Sequence, residues 1–296
     1  HYVDGVSDDG RSGIVIIAML GNPFSPAYAR ARDEGAASPL SHCAMNVVLY
    51  HPRRPGPGRH LSSFALEERR IRRAALGPQA LRIGGSAMRW DGDRLVVEVD
   101  ERTTPGSHPI RRPLRGRVTL HPEAPADLAL TIDPAGLHRW WPIAPLSRIE
   151  VDLRQPGVQW SGHGYHDANA GDVPLEATFD TWSWSRGRAG DAAYLTYDVL
   201  PLEGAPRTHA LRVDVRGDVS PLAGTETRPL ERTLWRVPRR ARVDVGAPAR
   251  TVRTLEDGPF YARSLVETRL GGAHLVAMHE TLAAQRLRRG WVRFCT

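Results

Sequence analysis

Apolar residues recur along this chain in short runs, and turn-forming residues separate them. GIVIIAML, residues 13–20, follows the turn-like SDDGRSG and stops at NPFSP, and CAMNVVLY, residues 43–50, is a second uninterrupted run of strand length. From residue 80 onward the pattern alternates: ALRIGGSAMRW, an Asp-Gly turn and LVVEVDERT, then LRGRVTLHPE and LALTIDPAG. Alternation places successive side chains on opposite faces, which predicts antiparallel sheets with one wetter face. SRIEVDLRQPG, VQWSGHGYHD, TWSWSRGRAG, AAYLTYDVLP, THALRVDVRG and SLVETRLGGAHLVAMHE continue the theme. Strands do not alternate with long amphipathic helices, so a doubly wound sheet or an eight-fold α/β barrel is disfavoured. The pattern predicts an all-β protein built from antiparallel sandwich or barrel domains. AGDVPLE interrupts the strand rhythm near residue 170, which predicts an N-terminal domain over 1–170 and a C-terminal domain over 171–296.

Less regular stretches punctuate this scheme. HPRRPGPGRH, residues 51–60, reads as a loop, residues 64–76 fit either a helix or a hairpin strand, and MHETLAAQRLRRG, residues 278–290, fits a short helix or a terminal strand and loop. No apolar run reaches the 18 residues that a membrane-crossing helix needs. The first residue is His1 rather than an initiator Met, which predicts a preceding segment that the sequence does not show.

Charge narrows the classes of partner. The 296 residues carry 40 basic side chains, all of them arginine, against 33 acidic ones, for a formal charge of +7. The arginines gather around Arg53 to Arg73, Arg228 to Arg253 and Arg286 to Arg293. Such clusters serve as solvated faces or draw the chain to an anionic membrane surface. No nucleic-acid-binding module accompanies them, so nucleic acid is not an expected partner. Cys43 and Cys295 stand alone and far apart, which supports neither a zinc site nor a disulfide scaffold.

The densest chemistry lies in SGHGYHDANAGD, residues 161–172. An extended backbone there puts His163, Tyr165 and Asp167 on one face and His166 on the other. Trp160 is expected to wall the same pocket. The histidine spacing suits neither strand ligands nor a helical His-Glu-x-x-His site, so no metal is expected. Ser161 lacks the Gly-x-Ser-x-Gly setting of a nucleophile. A turn in which Asn169 and Gly171 serve the backbone remains the plain structural reading. Trp140, Trp141, Trp160, Trp182 and Trp184, five of the eight tryptophans, surround the stretch. They are core residues or the lining of an apolar site where a buried acid transfers a proton.

Four blocks extend this reading: YVDGVSDDGRSGIVIIAMLGNPFSPAYARAR, HRWWPIAPLSRIEVDL, WSGHGYHDANAGDVPLE and LEDGPFYARSLVET. Together, in order and through essentially the whole chain, they resemble the bacterial carotenoid 1,2-hydratases, also called hydroxyneurosporene synthases. The resemblance implies two lipocalin-like antiparallel β-barrel or sandwich domains. It also implies hydration of the terminal C1–C2 double bond of acyclic carotenoids such as neurosporene and lycopene, with no redox cofactor. Protonation at C2 would leave a tertiary cation at C1 for water to attack. In this reading Asp167 is the acid, Tyr165 or His163 positions it or the water, and His166 is an alternative base. Trp140, Trp141, Trp182 and Trp184 shape the cavity, and Tyr2 and Asp4 add a second wall, while Asp9-Gly10 makes a hairpin turn. Asp257, beside Phe260 and Tyr261, is the second candidate acid. Gly258 and Ala170 depart from the family pattern and bear on product range more than on reaction class. A substrate of this kind predicts a peripheral enzyme on the cytoplasmic side of a bacterial inner or intracytoplasmic membrane, in contact with anionic lipid or with other enzymes of the pathway. The competing readings are a noncatalytic lipocalin-like binder of an apolar ligand and a cofactor-free isomerase or cyclase.

Overall fold

The computed structural model describes residues 1–50, 62–77, 79–105 and 110–294. The expected loop at 51–60 and Cys295 lie outside these described residues. The chain opens with β1 (Tyr2–Ser7), β2 (Gly13–Met19), β3 (Cys43–Tyr50), β4 (Ser63–Ala65), β5 (Glu68–Arg69), β6 (Leu76–Gly77) and β7 (Ala80–Ile83). It continues with β8 (Ser86–Asp91), β9 (Arg94–Arg102), β10 (Pro113–Ala124), β11 (Leu130–Thr131), β12 (His138–Gln155) and β13 (Val158–Gly171). These thirteen strands form one sheet in the order β4-β3-β2-β1-β13-β12-β10-β9-β8-β7-β6, with β5 beside β3 and β11 beside β12.

The remaining strands are β14 (Phe179–Ala189), β15 (Ala192–Pro201), β16 (Arg207–Asp214), β17 (Val219–Pro221), β18 (Thr225–Pro229), β19 (Arg240–Asp244), β20 (Ala249–Asp257), β21 (Tyr261–Leu270) and β22 (Ala273–Ala283). Seven of them make a sheet in the order β17-β16-β15-β14-β22-β21-β20, and β18 pairs with β19 alone. The all-β antiparallel class expected from alternation is present, but the lipocalin-like barrels are not. Each large sheet is open, ending at β4 and β6 in one and at β17 and β20 in the other. A barrel needs its first and last strands to pair along their length. Here β4, β6 and β17 have only three, two and three residues. Short terminal strands also limit the unpaired backbone offered to another chain.

The chain divides into two compact units. The first comprises His1–Glu123 with Ser147–Asp167, the second Ala124–Leu146 with Ala168–Thr296. β12 therefore contributes its residues 138–146 to the second unit and the rest to the first. In the first unit β3 is buried at every position, CAMNVVLY, which is why its sequence reads as a continuous run rather than an alternation. The β1–β2 hairpin turns at Gly10, whose φ of 68° suits glycine, and Asp9 Oδ1 accepts hydrogen bonds from Ser7 Oγ at 2.6 Å and Arg11 N at 3.0 Å. Residues 64–76 form short strands and a 3₁₀ turn at Arg73–Ala75, not a regular helix. At the other end β22 runs through Ala283 into a 3₁₀ segment, Ala284–Arg288, and a short helix, Gly290–Phe294.

Candidate active site

Two strands separated by about 160 residues in sequence build the polar centre of the first unit. β1 pairs antiparallel with β13 so that Tyr2 lies opposite Asp167, Asp4 opposite Tyr165, and Val6 opposite His163. Opposed residues share a face, so Tyr2, Asp4, Tyr165 and Asp167 converge on one side of the sheet. All four are buried; Asp4 and Tyr165 are fully inaccessible and Asp167 is 3% exposed. Tyr165 donates its hydroxyl hydrogen to Asp167 Oδ2 at 2.8 Å. The Tyr2 ring meets the Tyr165 ring edge-on at 6.2 Å. Asp4 was expected only as part of a wall, yet it brings a second buried carboxyl group to the face that carries Asp167.

Glycines set how closely these strands pack on their other side. Gly5 lies opposite Gly164. A Cβ on Gly164 would sit 2.3 Å from Leu120 Cδ1 and 2.9 Å from Ile149 Cβ, and one on Gly5 would sit 2.8 Å from two Ile149 carbons. Leu120 and Ile149 thus occupy the space that side chains there would need, and their packing holds the register that aligns Tyr2 and Asp4 with Tyr165 and Asp167.

His166 belongs to this opposite face. Its Nδ1 donates to the Tyr2 carbonyl at 2.9 Å, its ring stacks on that of His1 at 5.5 Å, and the tilted Trp90 ring is 6.0 Å away. Burial pushes its pKa down to about 4, so the imidazole is neutral near pH 7. The histidine fixes the strand that carries Tyr2 and Asp4. Trp90 was not among the expected residues, because its MRWDGD context reads only as a strand entering a turn. Trp160 also lies on the side of Gly162, Gly164 and His166, with its ring 3.4 Å from the position of a Gly5 Cβ. It therefore does not wall the Tyr165–Asp167 face. His163 is on that face but at its wet end, 42% exposed, with Nε2 3.7 Å from Asp8 Oδ1.

The second unit holds the other aromatic candidates. Trp140 is fully buried, its ring 5.2 Å from Tyr197 and 6.5 Å from His209, and Trp182 lies 5.7 Å from the same Tyr197. Trp182 pairs with Val199 and Trp184 with Tyr197, which puts both tryptophans on one face of the seven-stranded sheet. Trp141 points from β12 to the side opposite Trp140. His138, two residues before Trp140 and on its side, is buried with Nε2 3.1 Å from the Val173 carbonyl; burial lowers its pKa. Sequence reading missed it because a lone histidine at a strand start carries no pattern.

Asp257 is placed differently from Asp167. Its Oδ2 accepts the backbone N–H of Leu234 at 2.7 Å, the arrangement of a carboxylate that fastens a loop. Tyr261 lies 5.3 Å beneath the Arg263 guanidinium, and Phe260 contributes its carbonyl to the Ala283 N–H at 2.8 Å. Arg263 is itself buried, donating to Glu280 Oε1 at 2.7 Å and Glu256 Oε1 at 2.9 Å. Among the described residues no cluster of three or more His, Cys, Asp or Glu is arranged to hold a metal ion.

Comparison with known proteins adds a family. The family model described as carotenoid hydratase CrtC matches residues 16–295. An acyclic carotenoid 1,2-hydratase of Thiocapsa roseopersicina is 44% identical over 286 residues, covering 96% of this chain and 68% of that protein. The enzyme of the same name from Rubrivivax gelatinosus is 41% identical, covering 97% and 68%, and that from Cereibacter sphaeroides 38% identical, covering 92% of each. Among solved structures, the Nitrosomonas europaea protein assigned as AttH superposes with a TM-score of 0.60 at 11% identity, covering 96% of this chain and 91% of its own. CghA with Sch210972 gives 0.54 at 12% identity, covering 96% and 88%. These two likenesses concern the fold alone.

Proposed function

The chain belongs to the carotenoid hydratase family, and from that premise we infer that Asp167 is the acid with which it hydrates the C1–C2 double bond of an acyclic carotenoid. The chain is a hydro-lyase, and its reactants are the carotenoid and water. Hydration places a proton on C2 and a hydroxyl on C1, with no net electron transfer to an acceptor. An isolated trisubstituted alkene has no neighbouring carbonyl to polarise it, so the difficult step is protonation by a well-placed acid.

One observation carries the assignment to Asp167: its buried carboxyl group receives the Tyr165 hydroxyl at 2.8 Å on the face that also holds Asp4 and Tyr2. Loss of the proton to C2 turns Asp167 into a carboxylate, and the Tyr165 hydrogen bond strengthens as that charge develops. Water then attacks the tertiary cation at C1. The bases on this face for the proton it releases are the Asp167 carboxylate, which regenerates the acid, and Asp4. The rings of Tyr2 and Tyr165 offer π-faces to the developing cation.

A hydrocarbon of this length gains about 0.8 kcal/mol for each CH₂ withdrawn from water, so the enzyme meets its substrate where the hydrocarbon dissolves. We place that encounter at the cytoplasmic face of a bacterial inner or intracytoplasmic membrane, with the chain bound peripherally. No helix among the described residues is long and apolar enough to cross a membrane.

Incubation with lycopene or neurosporene followed by mass analysis tests the assignment. The wild-type product gains the mass of one water. Asp167→Asn is expected to bind the carotenoid, followed by its absorption shift, and to yield no hydrated product. Near-normal turnover by this variant would remove Asp167 from the role.

A further inference from the structure

We propose that Leu234, Trp235 and Trp291, with the arginines around them, form the face by which the second unit docks on an anionic lipid surface. The inference rests on the membrane encounter proposed above and assigns it to particular residues. Leu234 is 81% exposed, Trp235 40% and Trp291 51%. The two indoles stack on each other, centroids 5.9 Å apart and planes inclined by 24°. Large apolar side chains left outside in this way mark an interaction site when they are grouped.

The backbone beneath the patch is fixed. Arg286 donates to the carbonyls of Trp235 at 2.9 Å, Arg236 at 2.9 Å and Pro259 at 2.8 Å, which ties the 234–236 turn to the segment leading into Trp291. The Leu234 N–H is anchored on Asp257 Oδ2, and Arg236 turns the chain with a φ of 52°. Val237 and Val292, the buried residues nearest in sequence, occupy the core positions. Trp235 and Trp291 are consequently held outward, and a partner meets them already ordered.

Charge selects the partner. Arg232, Arg236 and Arg289 are exposed around the patch, and neither they nor Arg286 forms an ion pair among the described residues, whereas the Arg288 guanidinium donates to the Glu176 carbonyl at 2.8 and 3.2 Å and serves the fold. The neighbouring carboxylates are engaged elsewhere, Glu231 with Thr251 and Asp257 with the Leu234 N–H. Burial and the like charge of Arg289 lower the Arg286 pKa, a sign of cationic crowding. Two copies of this face would set arginine against arginine, which argues against a second chain as occupant. An anionic bilayer answers both features: its phosphates take the guanidinium groups, and indole and leucine side chains favour the headgroup boundary.

The experiment is vesicle flotation of the full chain, with phosphatidylcholine alone and with an equimolar phosphatidylcholine–phosphatidylglycerol mixture. Wild type is expected to float with the anionic vesicles. Trp235→Ser with Trp291→Ser, and separately Arg232→Gln with Arg289→Gln, are each expected to weaken partitioning roughly tenfold or more. Both pairs should retain turnover of detergent-dispersed carotenoid. Brominated lipid should quench part of the wild-type tryptophan emission and lose that part in the tryptophan variant. If wild type floats with neither vesicle, the membrane encounter and this face fall together. If wild type floats and the variants float equally well, only this face is overturned. Self-association in sedimentation velocity that disappears in the tryptophan variant would also overturn it, assigning the face to a second copy.

Discussion

Replacing Tyr165 with phenylalanine removes one hydroxyl from the proposed centre and leaves the ring that packs against Tyr2. The lost contact is the 2.8 Å donation to Asp167 Oδ2, between residues that are 0% and 3% exposed. A hydrogen bond to a charged group is worth about 1.5–3 kcal/mol net. If Asp167 gives its proton to C2, that energy is realised as the carboxylate forms, in the transition state more than in the substrate complex. At about 1.4 kcal/mol per factor of ten, kcat should fall roughly 10- to 150-fold while KM stays near its wild-type value. Both constants come from product formation on detergent-dispersed lycopene, followed by chromatography and mass analysis. A kcat within threefold of wild type, or a higher KM at unchanged kcat, would refute the reasoning.

Other expectations concern the frame. Gly164→Val must displace Leu120 or Ile149, since even its Cβ would lie 2.3 Å from Leu120 Cδ1; a loss of about 1–3 kcal/mol in urea denaturation is expected, with turnover falling as the β1–β13 register loosens. Arg263→Met leaves Glu280 and Glu256 without their shared guanidinium and should cost about 3–5 kcal/mol, partly recovered by adding Glu280→Gln, as thermal melting would show. Burial lowers His166 and His279 to about 4, so the unfolded chain binds more protons than the folded one between there and pH 6.5. Their stabilisation is complete above pH 6.5 and is lost as pH falls toward 4, on the order of 3 kcal/mol for each histidine. His279→Gln, which can still donate to the Arg240 carbonyl, should flatten the dependence of urea midpoint on pH in that window by about one proton.

Alternation along the chain was enough to identify strands and to place Tyr165 and Asp167 on one face, because side-chain direction in a strand depends on local geometry alone. Which strands pair does not. That Asp4 sits opposite Tyr165 follows from the β1–β13 register, a relation across about 160 residues that no local period contains. Trp160 shows the same limit from the other side: its neighbourhood in sequence suggested a wall for Asp167, while the period of two turns it away. Asp257 looked like Asp167 in composition, two acids beside aromatics, and only its bond to the Leu234 N–H distinguishes a loop fastener from a buried acid. Whether the sheets close was also hidden, since closure depends on the edge strands, and two- and three-residue strands leave almost no trace in hydropathy. Trp235 and Trp291 were illegible for a related reason. Exposure of an aromatic residue is decided by which neighbours fill the core, here Val237 and Val292.

The long pairing of β1 with β13 has a consequence for how the enzyme is made. Asp4 is synthesised about 160 residues ahead of its partner strand, a delay of roughly ten to thirty seconds at cellular translation rates. During that interval β1 is bonded to β2 along one edge only, and the other edge offers its backbone to any passing strand. The arrival of β13 covers that edge and brings Asp167 beside Asp4 in the same event. One pairing event therefore both protects an exposed edge and assembles the proposed centre, so chaperone dependence and activity should change together in variants that weaken this seam.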